Sequence, residues 1–276
     1  MNETKNTGII QSAKNTAVQA KESPKTIQDY VKVMSGEIAK ALPSVITPER
    51  FTRMVLSALS TNPKLGECTP KSFLGAMMTA AQIGLEPNTA LGQAFLIPYY
   101  NHGILECQFQ IGYKGLIDLA YRSGEVSIVQ ANTVYENDLF EYELGLEPKL
   151  RHIPAKKNRG EPIYYYAMFR TKIGGYGFQV MSFDDVMAHG RRYSKSFDKS
   201  PWKTNFDEMA KKTVLKSTLK YAPLKSDFVK ALDQDGTIKT EISEDMYSIP
   251  SDLPLEADYV EVDDSTGEVQ EVIPNA

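Results

Sequence analysis

The sequence predicts an α+β fold, in which helices pack around a small antiparallel β-sheet with a β-hairpin, between flexible tails. Apolar residues recur at helical spacing in the first third of the chain, alternate with polar residues in the middle, and return to helical spacing after it. The two kinds of segment do not interleave as β-α-β units, and no tandem repeat is present. An antiparallel sheet flanked by helices is therefore expected.

Each predicted helix of the first third begins with a hydroxyl residue followed by proline. The hydroxyl suits the N-cap and proline suits the first helical position. The pairs are Ser23-Pro24, Thr47-Pro48 and Thr69-Pro70. Pro43 ends the first of these helices.

The middle of the chain predicts a hairpin and further strands. "GQAFLIPYYNHGILECQFQIG" places two strands around an Asn101-His102-Gly103 turn, and the second strand has one apolar and one polar face. A short helix, "YKGLIDLAYRSG", follows. The later strand-like segments are "VSIVQANTVYE", "LFEYEL", "KLRHI", "PIYYYAMFR" and "YGFQVMS". Two helices come next, "SFDDVMAHG" with a cap from Ser182 to Asp185, and "NFDEMAKKTVLKSTLK" with Asn205 as N-cap and Glu208 three residues on.

The two signs of charge are segregated along the chain. Residues 231–276 carry 13 Asp and Glu against one Lys, whereas Lys149–Lys225 carries 17 Lys and Arg against six Asp and Glu. We expect a mobile N-terminal tail over 1–23, a folded core over 24–230, and an acidic, largely disordered tail over 231–276. Charge alone leaves open whether the basic body binds a polyanion or is a solvated surface.

Several classes of protein are disfavoured by composition. Two cysteines in 276 residues exclude a disulfide scaffold and fit a reducing cytoplasm. Three scattered histidines give no zinc-ligand spacing, and no apolar run approaches the ~20 residues of a membrane span. The N-terminus has no signal-peptide pattern. We expect a cytoplasmic protein with no membrane contact, metal or cofactor.

A row of lysines is the first candidate site. Lys212, Lys216 and Lys220 are four residues apart, so they share one helix face, and Lys211 flanks them. Such a row suits a phosphate backbone. The alternative is helix support, because Asp207 with Lys211 and Glu208 with Lys212 are ordinary i,i+4 pairs.

Two further groups complete the candidate DNA-binding set. The first interleaves cations with aromatic rings, a pattern typical of single-strand binding: Arg191, Arg192, Tyr193, Lys195, Lys199, Trp202 and Lys203. The alternative for Trp202 is core packing. The second group is Gln110, Tyr113 and Lys114, where a glycine-flanked helix start would aim N–H groups at a phosphate. The residues alone favour a tight strand-to-helix turn there.

No catalytic motif is present. "KIGGYGF" lacks the Lys-Ser/Thr of a P-loop, and no nucleophile motif occurs. Asp184-Asp185 and Glu141/Glu143 are conceivable metal ligands of a nuclease, although Asp185 also suits a helix cap. We therefore expect no catalytic residue.

Four segments together resemble the RecT family of phage and prophage recombinases. They are "RFTRMVLSALSTNPKLGECTPKSFLGAMMTAAQIGLEPN", "GQAFLIPY", "CQFQIGYKGLIDLAYRSG" and "WKTNFDEMAKKTVLKSTLKY", which occur in family order between Ser35 and Leu224. The resemblance implies ATP-independent annealing of complementary single strands by a ring or helical filament, and a fold of helices around a small antiparallel sheet. It also implies that the core over 24–230 binds DNA and oligomerises, and that the protein works in the cytoplasm of a bacterial host. Further implications are binding of the annealed duplex, a partner 5′–3′ exonuclease and an encounter with the host single-strand-binding protein.

The resemblance also implies roles for individual residues. Lys211, Lys212, Lys216 and Lys220 match the family's C-terminal basic motif and are expected to contact phosphates. Three rival functions stay open. They are a passive single-strand-binding protein, a Mg²⁺-dependent nuclease, and a scaffold whose basic face meets an acidic partner.

Overall fold

The computed structural model describes residues 26–42, 46–101, 103–194 and 197–251. The predicted mobile tail over 1–23 and its cap at Ser23 lie outside these ranges. Within them the fold is α+β, as predicted. The helices are α1 (Ile27–Val33), α2 (Ser35–Ala41), α3 (Pro48–Thr61), α4 (Pro70–Ile83), α5 (Tyr113–Arg122), α6 (Phe183–Tyr193), α7 (Pro201–Thr204), α8 (Phe206–Leu219) and α9 (Ser226–Leu232). The strands are β1 (Ala94–Asn101), β2 (Ile104–Ile111), β3 (Val126–Tyr135), β4 (Leu139–Glu143), β5 (Lys149–Ile153), β6 (Pro162–Thr171) and β7 (Tyr176–Ser182).

The predicted first helix is two short helices. Thr26, not Ser23, caps α1, because its hydroxyl accepts from the Asp29 N–H and the Asp29 carboxylate accepts from the Thr26 N–H. Met34 leaves helical geometry at φ −90° and ψ 7° between α1 and α2. The Ser35-Gly36 pair that follows has poor helix propensity, which accounts for the break.

The other predicted caps differ in their chemistry. Thr47 accepts from the Arg50 N–H, and Ser182 and Asp185 form the expected capping box. Thr69 instead donates its hydroxyl to Ser72 Oγ at 2.7 Å. Asn205 holds the N-cap position of α8 without a side-chain cap bond. These four helices begin where the sequence indicates, but only Thr47 and Ser182 form the expected cap hydrogen bond.

The predicted hairpin is β1–β2, paired antiparallel from Ala94↔Ile111 to Asn101↔Ile104. Its apolar face packs on α4, which is buried along most of its length. The polar face is also buried, because residues 233–251, here called the C-terminal strap, cross it. The Phe109 N–H donates to the Thr237 carbonyl at 2.9 Å, and the Gly236 N–H donates to the Phe109 carbonyl at 2.9 Å.

The C-terminal strap continues across α4. Gln82 on α4 donates to the Ser243 carbonyl at 3.1 Å and accepts from the Met246 N–H at 2.8 Å. Ile238 and Met246 are fully buried. The first part of the segment that the sequence assigns to the acidic tail is thus packed on the body, whereas the rest of it, including "ADYVEV", lies outside the described residues.

The remaining strands form two separate antiparallel sheets. β3, β6 and β7 make a three-stranded sheet in the order β3-β6-β7, and β4 and β5 pair only with each other. Helix α8 packs on one face of the three-stranded sheet, against Tyr165 and Ala167. The β4–β5 hairpin covers the other face, where Phe140 stacks on Tyr166 with ring centroids 5.6 Å apart.

No helix in the described ranges is both long and apolar enough to cross a membrane.

Candidate nucleic-acid interface

Helices α6, α7 and α8 meet around an aromatic cluster. Trp202 is 7% exposed and stacks on Phe197 with centroids 6.0 Å apart. Both rings lie against Gly190 of α6, where an added Cβ would come within 2.7 Å of the Trp202 ring. A side chain on residue 190 would therefore separate α6 from α7. Trp202 is a core residue, so the packing alternative describes it and base stacking does not.

The cluster positions four basic side chains at the junction of α6 and α8, here called the basic cluster: His189, Arg192, Lys216 and Lys220. Burial lowers the pKa of His189, and the positive charges of Lys216, Lys220 and Arg192 lower it further. Every charge that shifts this imidazole is thus positive. Lys216 is also paired with Asp235, so the cations of this junction that have no carboxylate partner among the described residues are Arg192 and Lys220. Cations of this kind can neutralise a phosphate backbone.

Aromatic and cationic side chains continue from the basic cluster along the last turn of α6. Arg192 lies over the Tyr193 ring at 5.4 Å, and Arg191 lies over the Phe197 ring at 4.8 Å. Both arginines and Tyr193 are exposed. Tyr193 also packs against the His189 ring with centroids 4.6 Å apart. Tyr193 is thus an exposed ring next to the basic cluster.

At the other end of the lysine row, Lys212 and Lys216 both pair with the carboxylate of Asp235. Lys212 Nζ lies 3.0 Å from Asp235 Oδ1, and Lys216 Nζ lies 2.7 Å from Asp235 Oδ2. The Ile111 N–H also donates to Asp235, at 2.9 Å. This Lys212–Asp235–Lys216 triad connects α8, β2 and the C-terminal strap, so its first function is structural.

Burial and charge oppose each other at the triad. Burial raises the pKa of Asp235, but Lys212 and Lys216 more than offset it and lower that pKa to about 2. Burial lowers the pKa of Lys212, and Asp235 opposes that shift. The Lys212 side chain is 14% exposed and that of Lys216 is 32% exposed. Accessibility therefore rises along α8 towards Lys220, which is exposed and has no ion-pair partner among the described residues.

Lys211 is also engaged. It pairs with Asp207, which in turn accepts from the Thr133 hydroxyl at 2.6 Å and so links α8 to β3. The expected i,i+4 pair of Asp207 with Lys211 is confirmed, whereas Lys212 pairs with Asp235 rather than Glu208.

The second predicted wall, Gln110 with Tyr113 and Lys114, divides between core and surface. Gln110 is buried and donates to Gln108 at 2.9 Å, while Gln108 donates to the Gly236 carbonyl. Tyr113 is partly buried, and its pKa is raised by burial and by Glu208. Lys114 is exposed. Only Lys114 is openly available to a phosphate in this group.

The glycines beside Tyr113 are explained by backbone packing. A Cβ on Gly112 would lie 2.2 Å from the Gly92 carbonyl oxygen, and one on Gly115 would lie 2.1 Å from that of Gln93. The tight strand-to-helix turn favoured by the residues alone is therefore present.

The last of the predicted contacts fall at the α6–α7 connection. Lys203 is exposed on α7. Lys195 and the side chain of Lys199 lie outside the described part of the structure.

Three of the four acidic residues considered for a nuclease have other partners. Asp185 caps α6, and Glu141 and Glu143 pair across the β4–β5 hairpin with Arg151 and Lys149. Within the described ranges, no three His, Cys, Asp or Glu residues are grouped so as to hold a metal ion. The nuclease interpretation thus has no set of carboxylates to support it here.

Sequence reasoning missed Asp235 and His189. Asp235 is 19 residues beyond Lys216 and falls in a run whose composition predicts a tail, so no local pattern reveals it. Its one signal was the apolar Ile238 just after Gly236, which indicates a chain still returning to the core. His189 is a single histidine on a predicted helix, and only tertiary packing shows which charges surround it.

Comparison with known proteins gives consistent results. The RecT family model matches residues 49–248. The chain is 38% identical over 206 residues to Protein RecT of Escherichia coli strain K12, covering 73% of this chain and 76% of that protein. It is 30% identical over 267 residues to Uncharacterized protein YqaK of Bacillus subtilis strain 168, covering 92% of this chain and 87% of that protein.

Proposed function

Because the chain belongs to the RecT family, we propose that it binds single-stranded DNA and pairs it with a complementary strand in phage homologous recombination. RecT-family proteins are recombination proteins, and this places the chain among them. Strand pairing releases free energy through base stacking and hydrogen bonding, so it requires no ATP. The absence of a P-loop signature in the sequence agrees with this.

The observation that carries the proposal is the basic cluster. The charges of Arg192, Lys216 and Lys220 all act on His189, and the buried Trp202 contacts both helices, at His189 of α6 and Phe206 of α8. Tyr193 adds an exposed ring beside them. Cations to neutralise phosphates, next to an aromatic face, are what single-strand binding requires.

The proposal places several copies side by side on one strand, in a ring or helical filament that also holds the annealed duplex. Its partners would be a 5′–3′ exonuclease that exposes the strand and, in the cytoplasm of the bacterial host, the single-strand-binding protein. The family resemblance supports these partners.

The test uses the exposed end of the lysine row, because Lys212 and Lys216 also hold Asp235. Arg192→Ala combined with Lys220→Ala should weaken single-strand binding irrespective of sequence. The slope of log affinity against log salt should fall by about 0.7 for each lost phosphate contact. Fluorescence anisotropy of a labelled oligonucleotide over a salt series measures both.

The matched control is Lys40→Ala with Lys71→Ala, which removes two exposed cations from α2 and α4. An equal loss in the control would show only a general effect of net charge and would contradict the assignment of the site. Adding the complementary strand then separates two functions. Duplex formation that is faster than without protein supports annealing. Binding without that acceleration would indicate a passive single-strand-binding protein instead.

A further inference from the structure

Two turns form an exposed apolar surface on the side of the three-stranded sheet that faces away from α8. Leu146 in the β4–β5 turn is fully exposed, and Ile173 in the β6–β7 turn is 95% exposed. The Tyr176 hydroxyl donates to the Pro148 carbonyl at 3.1 Å and holds the two turns together. We call the four exposed side chains of this surface the apolar knob: Leu144, Leu146, Ile173 and Tyr176.

The hairpin that carries the knob is fixed at its base. The buried Asp138 carboxylate accepts from Arg159 Nε at 2.9 Å and from the Ala155 N–H at 2.8 Å, and lies 3.0 Å from His152 Nε2. Arg159 holds the pKa of Asp138 well below its usual range, so the carboxylate stays charged. Phe140 packs on Tyr164 and Tyr166 just beyond. The apolar side chains are therefore presented on a rigid element, and large exposed apolar patches typically mark interaction sites.

A matching recess lies among the N-terminal helices. A groove of about 460 Å³ opens between α1, α2 and α3, with Val31, Ile38 and Val55 as its floor and Leu56 at its rim. Pockets of about 300–1,000 Å³ accommodate drug-sized apolar groups, so this one can take two aliphatic side chains. We call it the N-terminal groove.

The knob and the groove lie on different sides of the molecule. The groove is formed by helices that reach the body through α4, which packs on β2. The knob lies on the far face of the sheet that α8 covers. Helix α8 and the three-stranded sheet thus separate the two surfaces, so a knob meets a groove only on another copy.

Charge at the two surfaces is also complementary. Glu147 lies in the knob turn and Lys32 lines the groove. Neither side chain forms an ion pair within the described residues. An exposed pair of this kind adds register and orientation rather than much affinity.

We propose that the apolar knob of one copy seats in the N-terminal groove of the next. Because the two surfaces differ, the contact is head-to-tail and repeats, which generates a ring if the rotation closes and a helix if it does not. The inference deepens the proposed function by naming the surfaces that join neighbouring copies, and only the purpose of the assembly rests on that function.

The experiment compares full-length variants by sedimentation velocity without DNA. Leu144→Asp with Leu146→Asp disables the knob, and Leu56→Asp disables the groove. Each should shift a concentration-dependent assembly to monomer. Val229→Asp changes an exposed apolar residue on α9, similar in exposure to Leu56, and should leave the assembly as in wild type. Circular dichroism melting checks that every variant stays folded.

Mixing the two disabled variants gives the decisive result. Each retains the surface that the other lacks, so the mixture should form a species of two copies that cannot grow further. Assembly unchanged in the knob variant, a wild type that is monomeric at every concentration, or a mixture that stays monomeric would each overturn the proposal. Unchanged assembly is also the outcome expected if residues 1–25 of the same chain fill the groove.

A charge exchange provides an independent check. Glu147→Lys and Lys32→Glu should each weaken assembly, and the two variants mixed should restore it through the reversed pair. The disabled variants should still bind a short oligonucleotide with the wild-type salt slope. Loss of assembly with intact oligonucleotide binding is the expected result. Unchanged assembly with intact binding would contradict the interface alone, and a wild-type chain that assembles but does not bind the oligonucleotide would contradict the proposed function alone.

Discussion

At the scale of single residues, Asp235 changes how the lysine row is understood. Equal spacing on one helix face suggested equal roles for Lys212, Lys216 and Lys220. The three lysines differ in exposure and pairing instead. Lys212 is nearly buried in an ion pair, Lys216 is paired but more exposed, and Lys220 is an exposed charge with no ion-pair partner among the described residues. A buried carboxylate between two ammonium groups is costly to unpair, because the remaining charges keep their desolvation penalty.

Asp235→Asn should therefore destabilise the protein by about 3–5 kcal/mol at pH 7, the range for breaking a buried pair from one side. Urea unfolding measures this. The folded pKa of Asp235 is about 2, below the ~3.9 of a free Asp, so its contribution is present above pH 4 and is lost as the pH falls towards 2. The penalty of the substitution should shrink over the same interval.

Asp233→Asn is the matched control, since Asp233 is exposed two residues earlier. It should change the free energy of unfolding by less than about 0.5 kcal/mol. A penalty for Asp235→Asn that does not depend on pH would show that shape rather than charge at residue 235 holds the C-terminal strap in place.

At the scale of elements, α6 and α7 depend on a close approach at one glycine. Gly190→Ala would place a methyl group 2.7 Å from the Trp202 ring and 2.8 Å from the Phe197 ring. We expect a loss of about 1–3 kcal/mol in the free energy of unfolding, typical of overpacking. Movement of α6 should also weaken DNA binding, because Arg192 and His189 are on that helix.

The control at this scale is Gly36→Ala in α2, where an added Cβ meets nothing within 4 Å. It should stabilise the protein by up to about 1 kcal/mol through helix propensity. Thermal unfolding gives the melting temperatures of Gly190→Ala and Gly36→Ala for comparison. Equal melting temperatures would refute the packing role of Gly190.

Most elements follow from local sequence patterns, and the exceptions have identifiable causes. Thr47-Pro48 and Ser182 mark helix starts because capping is decided within four residues. The alternation in β2 predicts a strand but not what covers its polar face, since the C-terminal strap arrives from more than 120 residues away. Trp202 and Gln110 fit the chemistry of a binding site equally well on the surface or inside, and only packing decides between these.

At the scale of the whole molecule, the body extends further along the chain than charge segregation indicates. Residues 233–251 belong to the core, because Ile238, Lys239 and Met246 are buried in it. The acidic character there does not imply mobility, since the carboxylates face solvent or, at Asp235, meet lysines.

Truncation tests this boundary. A chain ending at Ser251 should keep the wild-type melting temperature, whereas one ending at Asp235 should unfold at much lower temperature. The shorter chain exposes Phe109 and the Gly75 region of α4, against which the Lys239 backbone packs. Differential scanning calorimetry distinguishes the two chains. A chain ending at Asp235 that keeps the wild-type melting temperature would show that the C-terminal strap is not needed for the stability of the body and belongs with the acidic tail.

The C-terminal strap has a consequence for synthesis in the cell. The Ile111 N–H forms its hydrogen bond with the Asp235 carboxylate, which is 124 residues later in the chain. Gln82 accepts from the Met246 N–H, which is 164 residues later. A nascent chain on the ribosome therefore presents an uncovered strand until almost the entire body has left the exit tunnel. Folding should then be largely post-translational, with a late closing step that sets the rate. We expect the uncovered strand to be a target for chaperones during translation, and an interrupted chain to be a target for proteases.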